Sequence, residues 1–400
     1  MKISVACLRY ACCLGFFGLC LQCAPVKKEP NREELETTTP APFPQPVPPK
    51  PQQQAPKTVV GIQNCGNTCF MNSALQVLIH TPVIAEYFSQ EKLTFTEHWF
   101  FPKEKDKVRK VVEAFHSLYH TYTTTTESYI HPGALVDLLP SVISGYRNEV
   151  RSQEDAQEYV SKFLDMVTSA TNTNPEKIYR ELTDKEKNDF SIAKANSQNS
   201  NEQSFITDAF QGFSQRIIRC HIGRSHDLVS YKFDPINLLS LTIPGKGHSL
   251  SKLIELSQQE IPVDLNENIK CQDAAHAKEG DTESLKIFSL AKKPAYLFIQ
   301  LKRFEQLPDA SGYKKISTEI EIPTVLPLQA AQDTTPRMFS LYAVILHHGT
   351  YGGGHYVALL QKEGKWLQAN DSVISEITEQ KALELSKKNG YLFFYQEKSP

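Results

Sequence analysis

Apolar residues recur along this chain with two different periods, and the change comes about halfway. In GIQNCGNTCFMNSALQVLIHTP, residues 61–82, a polar turn from Gln63 to Thr68 leads into a run that places Met71, Ala74, Leu75, Leu78 and Ile79 on one helical face. Thr81-Pro82 closes that helix. KVRKVVEAFHSLYHTY repeats apolar positions at 108, 111, 112, 115, 118, 119 and 122, an amphipathic helix, and Leu135 to Ile143 predicts a short one interrupted at Pro140. In SQEDAQEYVSKFLDMV, Ser152 is a candidate N-cap with Asp155 three residues on. Ala156, Tyr159, Val160, Phe163, Leu164 and Val167 make the buried stripe of that helix. Residues 171–204 are polar and read as a connection.

From Phe205 the signals are mostly strands: AYLFIQLKRF (295–304), LYAVILHH (341–348), HYVALLQKEGKWLQA (355–369, a hairpin turning at Glu363-Gly364) and GYLFFYQ (390–396). Short turns between strands imply an antiparallel sheet. A helical first half and a sheet-rich second half predict an α+β fold with a cleft between the two parts.

The first residues break this pattern. MKISVACLRYACCLGFFGLCLQCAP carries Lys2 and Arg9, then an uncharged run from Tyr10 to Val26. Its apolar centre of about a dozen residues suits a signal-peptide core better than a membrane span of ~20. Residues 1–23 are read as a signal peptide or membrane anchor, with lipidation a weaker alternative. Residues 24–57, including TTTPAPFPQPVPPKPQQQAP, are a Pro-rich linker that favours extended polyproline II, and residues 58–400 are the folded domain. A formal charge of −2 over 400 residues gives no footprint for nucleic acid. Of nine cysteines, five fall in the first 23 residues. Cys65, Cys69, Cys220 and Cys271 are too few for a secreted disulfide framework, although a Cys220–Cys271 bridge stays open.

Chemistry enters with Cys69. It falls at the helix N-terminus, where unpaired backbone N–H groups and the dipole favour negative charge, and so a thiolate. A buried structural cysteine is the alternative, and a basic partner is needed to decide. LHHGTYGGGHYVALL (346–360) supplies one: Gly352, Gly353 and Gly354 precede His355 at a strand start, as where another backbone passes close by. Fifteen residues later Asn370 and Asp371 leave the next strand of the hairpin, so either can face His355. Cysteine, histidine and Asn/Asp in that order form a papain-like nucleophile, base and orienter.

These segments resemble the ubiquitin-specific protease family over about residues 58–397. GIQNCGNTCFMNSALQVL is similar to that family's cysteine box, SQEDAQEYVSKFLD to its Gln/Asp box, and AYLFIQLKRF to the palm strand ending in LKRF. HHGTYGGGHYVAL, Trp366 with NDSV, and GYLFFYQ are similar to the histidine box and last strands. The resemblance implies a thumb–palm–fingers cysteine protease that cleaves after the C-terminal glycine of ubiquitin. It implies Cys69 as nucleophile, His355 as base then acid, Asn370 as third residue with Asp371 in support, and Asn64 as an oxyanion donor beside the Cys69 N–H. Asp155 and Glu158 would meet arginines of the ubiquitin tail, Phe304, His347 and Tyr356 would line its channel, and Gly353 and Gly354 would shape the slot. Where family members carry two CxxC pairs for zinc, Cys220 and Cys271 each stand alone here, so no metal or other cofactor is expected, even with His221 and His276 nearby in sequence. The partners implied are ubiquitin and ubiquitinated proteins, acted on by a monomer, with membrane association through the N-terminus as an option. A protease for a ubiquitin-like modifier and a ubiquitin-binding module with little catalysis are the alternatives. The N-terminus adds an expectation of export or membrane display into a ubiquitin-containing host compartment, as for a bacterial effector. A tethered enzyme on the cytosolic face of a eukaryotic membrane is the alternative.

Overall fold

The computed structural model describes residues 59–398 apart from 98, 100–101, 150, most of 175–202, 223–225, 246, 259, 263–282, 308, 310–311 and 330–334. All described residues fall in the unit Gln54–Pro400. The signal or anchor segment, the Pro-rich linker, Cys271 and His276 lie outside the described residues, as do the side chains of Cys220 and His221.

The helices are α1 (Cys69–Ile79), α2 (Pro82–Phe88), α3 (Lys105–Thr124), α4 (Leu139–Val142), α5 (Ala156–Ala170), α6 (Phe205–Phe210), α7 (Leu250–Ser257) and α8 (Glu379–Asn389). Five strands precede α7: β1 (Gly61–Ile62), β2 (Tyr129–Ile130), β3 (Gly212–Ile222), β4 (His226–Ile236) and β5 (Leu239–Leu241), with β6 (His248–Ser249) at its start. Then come β7 (Glu260–Pro262), β8 (Glu283–Lys292), β9 (Tyr296–Leu301), β10 (Phe304–Gln306), β11 (Tyr313–Lys315), β12 (Ile320–Glu321) and β13 (Val325–Leu328). The chain closes with β14 (Arg337–Thr350), β15 (Gly353–Lys362), β16 (Lys365–Asn370), β17 (Val373–Ile377) and β18 (Gly390–Glu397).

The main sheet runs β17-β16-β15-β14-β18-β9-β5, with β13 paired to β14, and a separate sheet runs β4-β3-β8-β7. Alternation along the main sheet sends side chains to two different cores. Phe298, Ala358, Leu360, Leu392 and Phe394 join the helices α1, α3 and α5 in one cluster. Ile299, Val357, Leu359, Phe393 and Tyr395 join α7 in the other. Because both faces are covered, the strands read as nearly continuous apolar runs.

α3 buries Val108, Val111, Val112, Phe115, Leu118, Tyr119 and Tyr122, the seven positions its periodicity marks. Elsewhere the outcome differs from expectation. α1 is buried along its whole length rather than on one stripe, because it lies against β14, β15, β16, α2 and α5 at once. Its polar residues are satisfied at long range: Gln76 donates to the Val60 carbonyl (2.7 Å) and accepts from the Tyr122 hydroxyl (2.8 Å). Pro140 lies in the first turn of α4 instead of interrupting it, and Pro82 starts α2, since a first-turn residue needs no N–H partner. The N-cap of α5 is Asp155 and not Ser152; Asp155 is extended and its Oδ1 accepts from the Gln157 N–H at 2.7 Å. The second half also holds α6, α7 and α8, and β5 pairs with β9 in parallel rather than antiparallel fashion.

Candidate active site

The loop before α1 is shaped by Asn64. Its Oδ1 accepts from the Gly66 N–H (3.0 Å), the Thr68 N–H (3.2 Å) and the Thr68 hydroxyl (3.3 Å), while Gly66 and Asn67 take positive φ of 94° and 54°. Thr68 caps α1 by position only, because its hydroxyl is spent on the Cys65 N–H (2.9 Å) and makes no cap bond. The first-turn N–H groups of α1 are thus left for another acceptor. Cys69 is the first helical residue, only 2% exposed.

The candidate base comes from the sheet. The two-residue turn Glu363-Gly364, both at positive φ (50° and 79°), sets the β15–β16 register at Ala358 opposite Ala369, which brings Asn370 back to His355. His355 Nε2 donates to Asn370 Oδ1 at 2.6 Å, and Asp371 Oδ2 is 3.9 Å away. With Nε2 so committed, Nδ1 is the nitrogen left for a second partner, and a hydrogen bond between the His355 and Cys69 side chains is the largest influence on the imidazole. The bond to Cys69 raises His355 most; burial opposes it, and the bond to Asn370 and the charges of Cys69 and Asp371 add to the rise, to about 9.

Asp371 does something else. It sits at φ 50° and accepts from Asn64 Nδ2 on Oδ2 (2.9 Å) and from Asn72 Nδ2 on Oδ1 (2.8 Å), while its carbonyl accepts from the Ile62 N–H (2.9 Å). One carboxylate therefore fixes the loop before Cys69 to the turn after Asn370. Pinning one hydrogen of the Asn64 amide leaves the other free to point elsewhere. Gly61 seals the same seam, since a Cβ there would lie 2.3 Å from the Ser372 carbonyl oxygen.

A model of the family described as ubiquitin carboxyl-terminal hydrolase matches residues 60–395. The chain belongs to the ubiquitin carboxyl-terminal hydrolase family. Over 348 residues it is 28% identical to ubiquitin carboxyl-terminal hydrolase Usp2 of Drosophila melanogaster, covering 84% of this chain and 34% of that protein. Against ubiquitin carboxyl-terminal hydrolase 2 of Homo sapiens the figures are 29% over 361 residues, 86% and 56%. The chain thus spans about a third to just over half of the length of these relatives. Among solved structures, the SAGA Ubp8/Sgf11/Sus1/Sgf73 DUB module bound to ubiquitin aldehyde matches with TM-score 0.61 and 23% identity, over 85% of this chain and 70% of that one. The likeness is one of fold, α+β and papain-like, as the order of helices and strands led us to expect.

The other residues that the family resemblance singles out are placed unevenly. Phe304, His347 and Tyr356 do come together, with ring centroids 5.1 Å apart for Phe304–His347 and 4.7 Å for His347–Tyr356. However, His347 (5% exposed) and Tyr356 (6%) are buried beneath the surface, so neither presents the open face that the resemblance implies. Burial drives His347 down to about 3, with Lys315, His348 and His355 adding to the effect, and its Nδ1 has no hydrogen-bond partner. Asp155 does not lie in the helix beside Glu158 but caps it, and its second oxygen accepts from the Tyr391 hydroxyl at 2.6 Å. Burial raises both carboxyls, Glu158 being raised further by the charges of Asp155 and Glu154.

The three glycines before His355 have different reasons. Gly352 takes φ 75° in the turn; a Cβ on Gly354 would lie 2.3 Å from His347 Nε2; Gly353 has open space around it. Asn72, Gln153 and Arg151 were missed by the pattern reading. Gln153 brackets Gly354, accepting from its N–H (2.9 Å) and donating to its carbonyl (2.6 Å), and Arg151 donates to the Cys65 carbonyl. The available signal for Asn72 was a polar residue one turn after Cys69 in a helix otherwise destined for the core. Cys65 sits half-buried with its sulfur 3.3 Å from His131 Nε2. No group of three or more His, Cys, Asp or Glu side chains fit for a metal occurs among the described residues.

Proposed function

We propose that the chain is a thiol-dependent deubiquitinase that hydrolyses the peptide or isopeptide bond after the C-terminal glycine of ubiquitin. The observation that carries this reading is a cysteine at an uncapped helix start, hydrogen-bonded to a histidine that donates to Asn370 at 2.6 Å. His355, drawn up to about 9, is a strong enough base to take the thiol proton as Cys69 attacks. The developing oxyanion is met by the unpinned hydrogen of the Asn64 amide and by the Cys69 N–H. His355 Nδ1 then passes its proton to the leaving amine, and later takes one from the water that releases the acyl enzyme. Asn370 holds the ring in place throughout, and Asp371 acts through Asn64 and Asn72. Glu158 is the better placed carboxylate for an arginine of the substrate tail, since both oxygens of Asp155 are engaged.

The test is to incubate the full chain with a ubiquitin C-terminal amide substrate and with a ubiquitin electrophile, beside a Cys69→Ala control. Turnover and labelling dependent on Cys69 are expected. Absence of both in the presence of tight ubiquitin binding would leave a binding module, and labelling only by another modifier's probe would change the substrate.

Export or anchoring by residues 1–23, with action in a ubiquitin-containing compartment, belongs to this proposal. It is supported by the charge and apolar run of that segment. Among the described residues no helix is long and apolar enough to cross a membrane. Mass spectrometry of the mature N-terminus checks this point: a chain beginning at Met1 would rule out cleavage.

A further inference from the structure

α3 carries two histidines four residues apart in FHSLYH, His116 and His120, which share one face of the helix. Their rings pack edge to face with centroids 4.4 Å apart, and their Nε2 atoms are 2.9 Å apart. Both nitrogens also reach the main-chain carbonyl oxygen of Gln90, just beyond α2, at 2.7 Å from His116 and 3.1 Å from His120. Three electron-rich atoms thus stand in a nearly equilateral triangle.

Hydrogen bonds cannot satisfy all three sides of it. A neutral imidazole Nε2 carries at most one hydrogen, and a carbonyl oxygen carries none. If both nitrogens are protonated, each can donate to Gln90, but the two N–H groups then face one another. If only one is protonated, its hydrogen can serve two sides, and the bare nitrogen still faces the carbonyl oxygen lone pair to lone pair. Every assignment leaves one repulsive contact at close range.

A cation removes the conflict, because all three lone pairs can then point at it. The spacing suits one: imidazole nitrogens about 2.1 Å from a metal, at right angles to each other, lie roughly 3.0 Å apart. We propose that His116 Nε2, His120 Nε2 and the Gln90 carbonyl form one face of a site for a divalent first-row cation of the imidazole-preferring class, Ni²⁺, Cu²⁺ or Zn²⁺. Water would fill the remaining positions. The bound ion would staple the segment after α2 to α3, on groups that take no part in the Cys69 chemistry.

Ni²⁺ is the probe, because its paramagnetism reports location even if cysteines elsewhere in the chain also bind metal. In amide spectra of the ¹⁵N-labelled full chain, one equivalent of Ni²⁺ is expected to broaden the resonances of residues around Gln90, His116 and His120. His116→Gln and His120→Gln, made separately, are expected to abolish that broadening. No broadening at these residues in the unsubstituted chain would overturn the proposal, whatever the variants do. Broadening that persists unchanged in both variants would overturn it too.

Discussion

His355 and His347 stand on neighbouring strands, β15 and β14, and each faces the other's neighbour across the ladder: His348 opposite His355, His347 opposite Tyr356. One surrounding raises its histidine to about 9 and the other lowers its histidine to about 3. At the Cys69 end the ring meets partners that prefer it charged: the thiol, the Asn370 amide oxygen and, at longer range, Asp371. At the other end the ring is buried among aromatics, beside the positive Lys315, with Nδ1 unpaired. Lys315 cannot turn away, since it donates to the His347 carbonyl (2.6 Å) and the Gly349 carbonyl (3.2 Å). Two identical side chains thus differ in charge at neutral pH, His355 favouring the charged form and His347 the neutral one, and the difference lies in what touches them.

The hardest break is at the charged end. Cys69→Ala is expected to lower kcat/KM on a ubiquitin amide substrate by on the order of a million-fold, and His355→Ala by a similar factor. The double variant should be no worse than either, because the two act as a unit; additive losses would show that they do not. Next comes the oxyanion donor. Asn64→Ala should cost about 3 kcal/mol in kcat, roughly a hundred- to a thousand-fold, with little change in KM. It should leave His355 titrating near its present value, whereas Asn370→Ala removes a bond that favours the charged ring and should lower that value. Histidine NMR titrations on both variants distinguish donor from orienter.

That division of labour shows how much sequence could reveal. The pairing of His355 with Asn370/Asp371 was legible because a two-residue turn at Glu363-Gly364 leaves the hairpin little freedom of register. The seven core positions of α3 and the stripe of α5 were legible for the same local reason, a regular period over several turns. What was not legible depends on contacts between distant residues. Asn370 and Asp371 are adjacent and chemically alike, and only the approach of Asn64 and Asn72, some 300 residues earlier in the chain, assigns Asp371 to the loop. The full burial of α1 rests on residues 60–63 and Tyr122 covering the polar Asn72 and Gln76, in addition to its packing against β14–β16. Ser152 and Asp155 are equally good caps by composition, and the tie is broken by the Tyr391 hydroxyl from the last strand. The parallel pairing of β5 with β9 and the six-residue α6 leave no periodic trace long enough to read.

The two histidines also predict opposite slopes of stability against pH. His355 is raised above its unfolded value of ~6.5, so its contribution is fully present below that value and is lost as pH rises through about 9. His347 is lowered, so the unfolded chain binds its proton first, and stability falls as pH drops from ~6.5 towards about 3. The loss at the acid end should be on the order of a few kcal/mol. Urea midpoints of the full chain at pH 7 and pH 4.5, with and without His347→Gln, measure it. The variant should flatten the acid limb; an unchanged slope would place the acid sensitivity in other groups.

The smallest test separates two adjacent glycines that the sequence presents alike. A methyl on Gly354 would approach His347 Nε2 at 2.3 Å and the His348 carbonyl oxygen at 2.5 Å, and the second of these is backbone that cannot swing aside. Overpacking of this kind costs roughly 1–3 kcal/mol. Because the clash falls on the uncharged histidine, Gly354→Ala should also displace Phe304 and Tyr356, whose rings pack against it. Gly353, one residue earlier, meets nothing within 4 Å, so Gly353→Ala should change stability by less than about 0.5 kcal/mol. Any loss of activity in that variant without a loss of stability would then be assigned to substrate approach, since the free chain has room for the methyl. Equal destabilisation by the two alanines, read from urea midpoints, would remove the distinction between a glycine required by packing and one required only when the slot is filled.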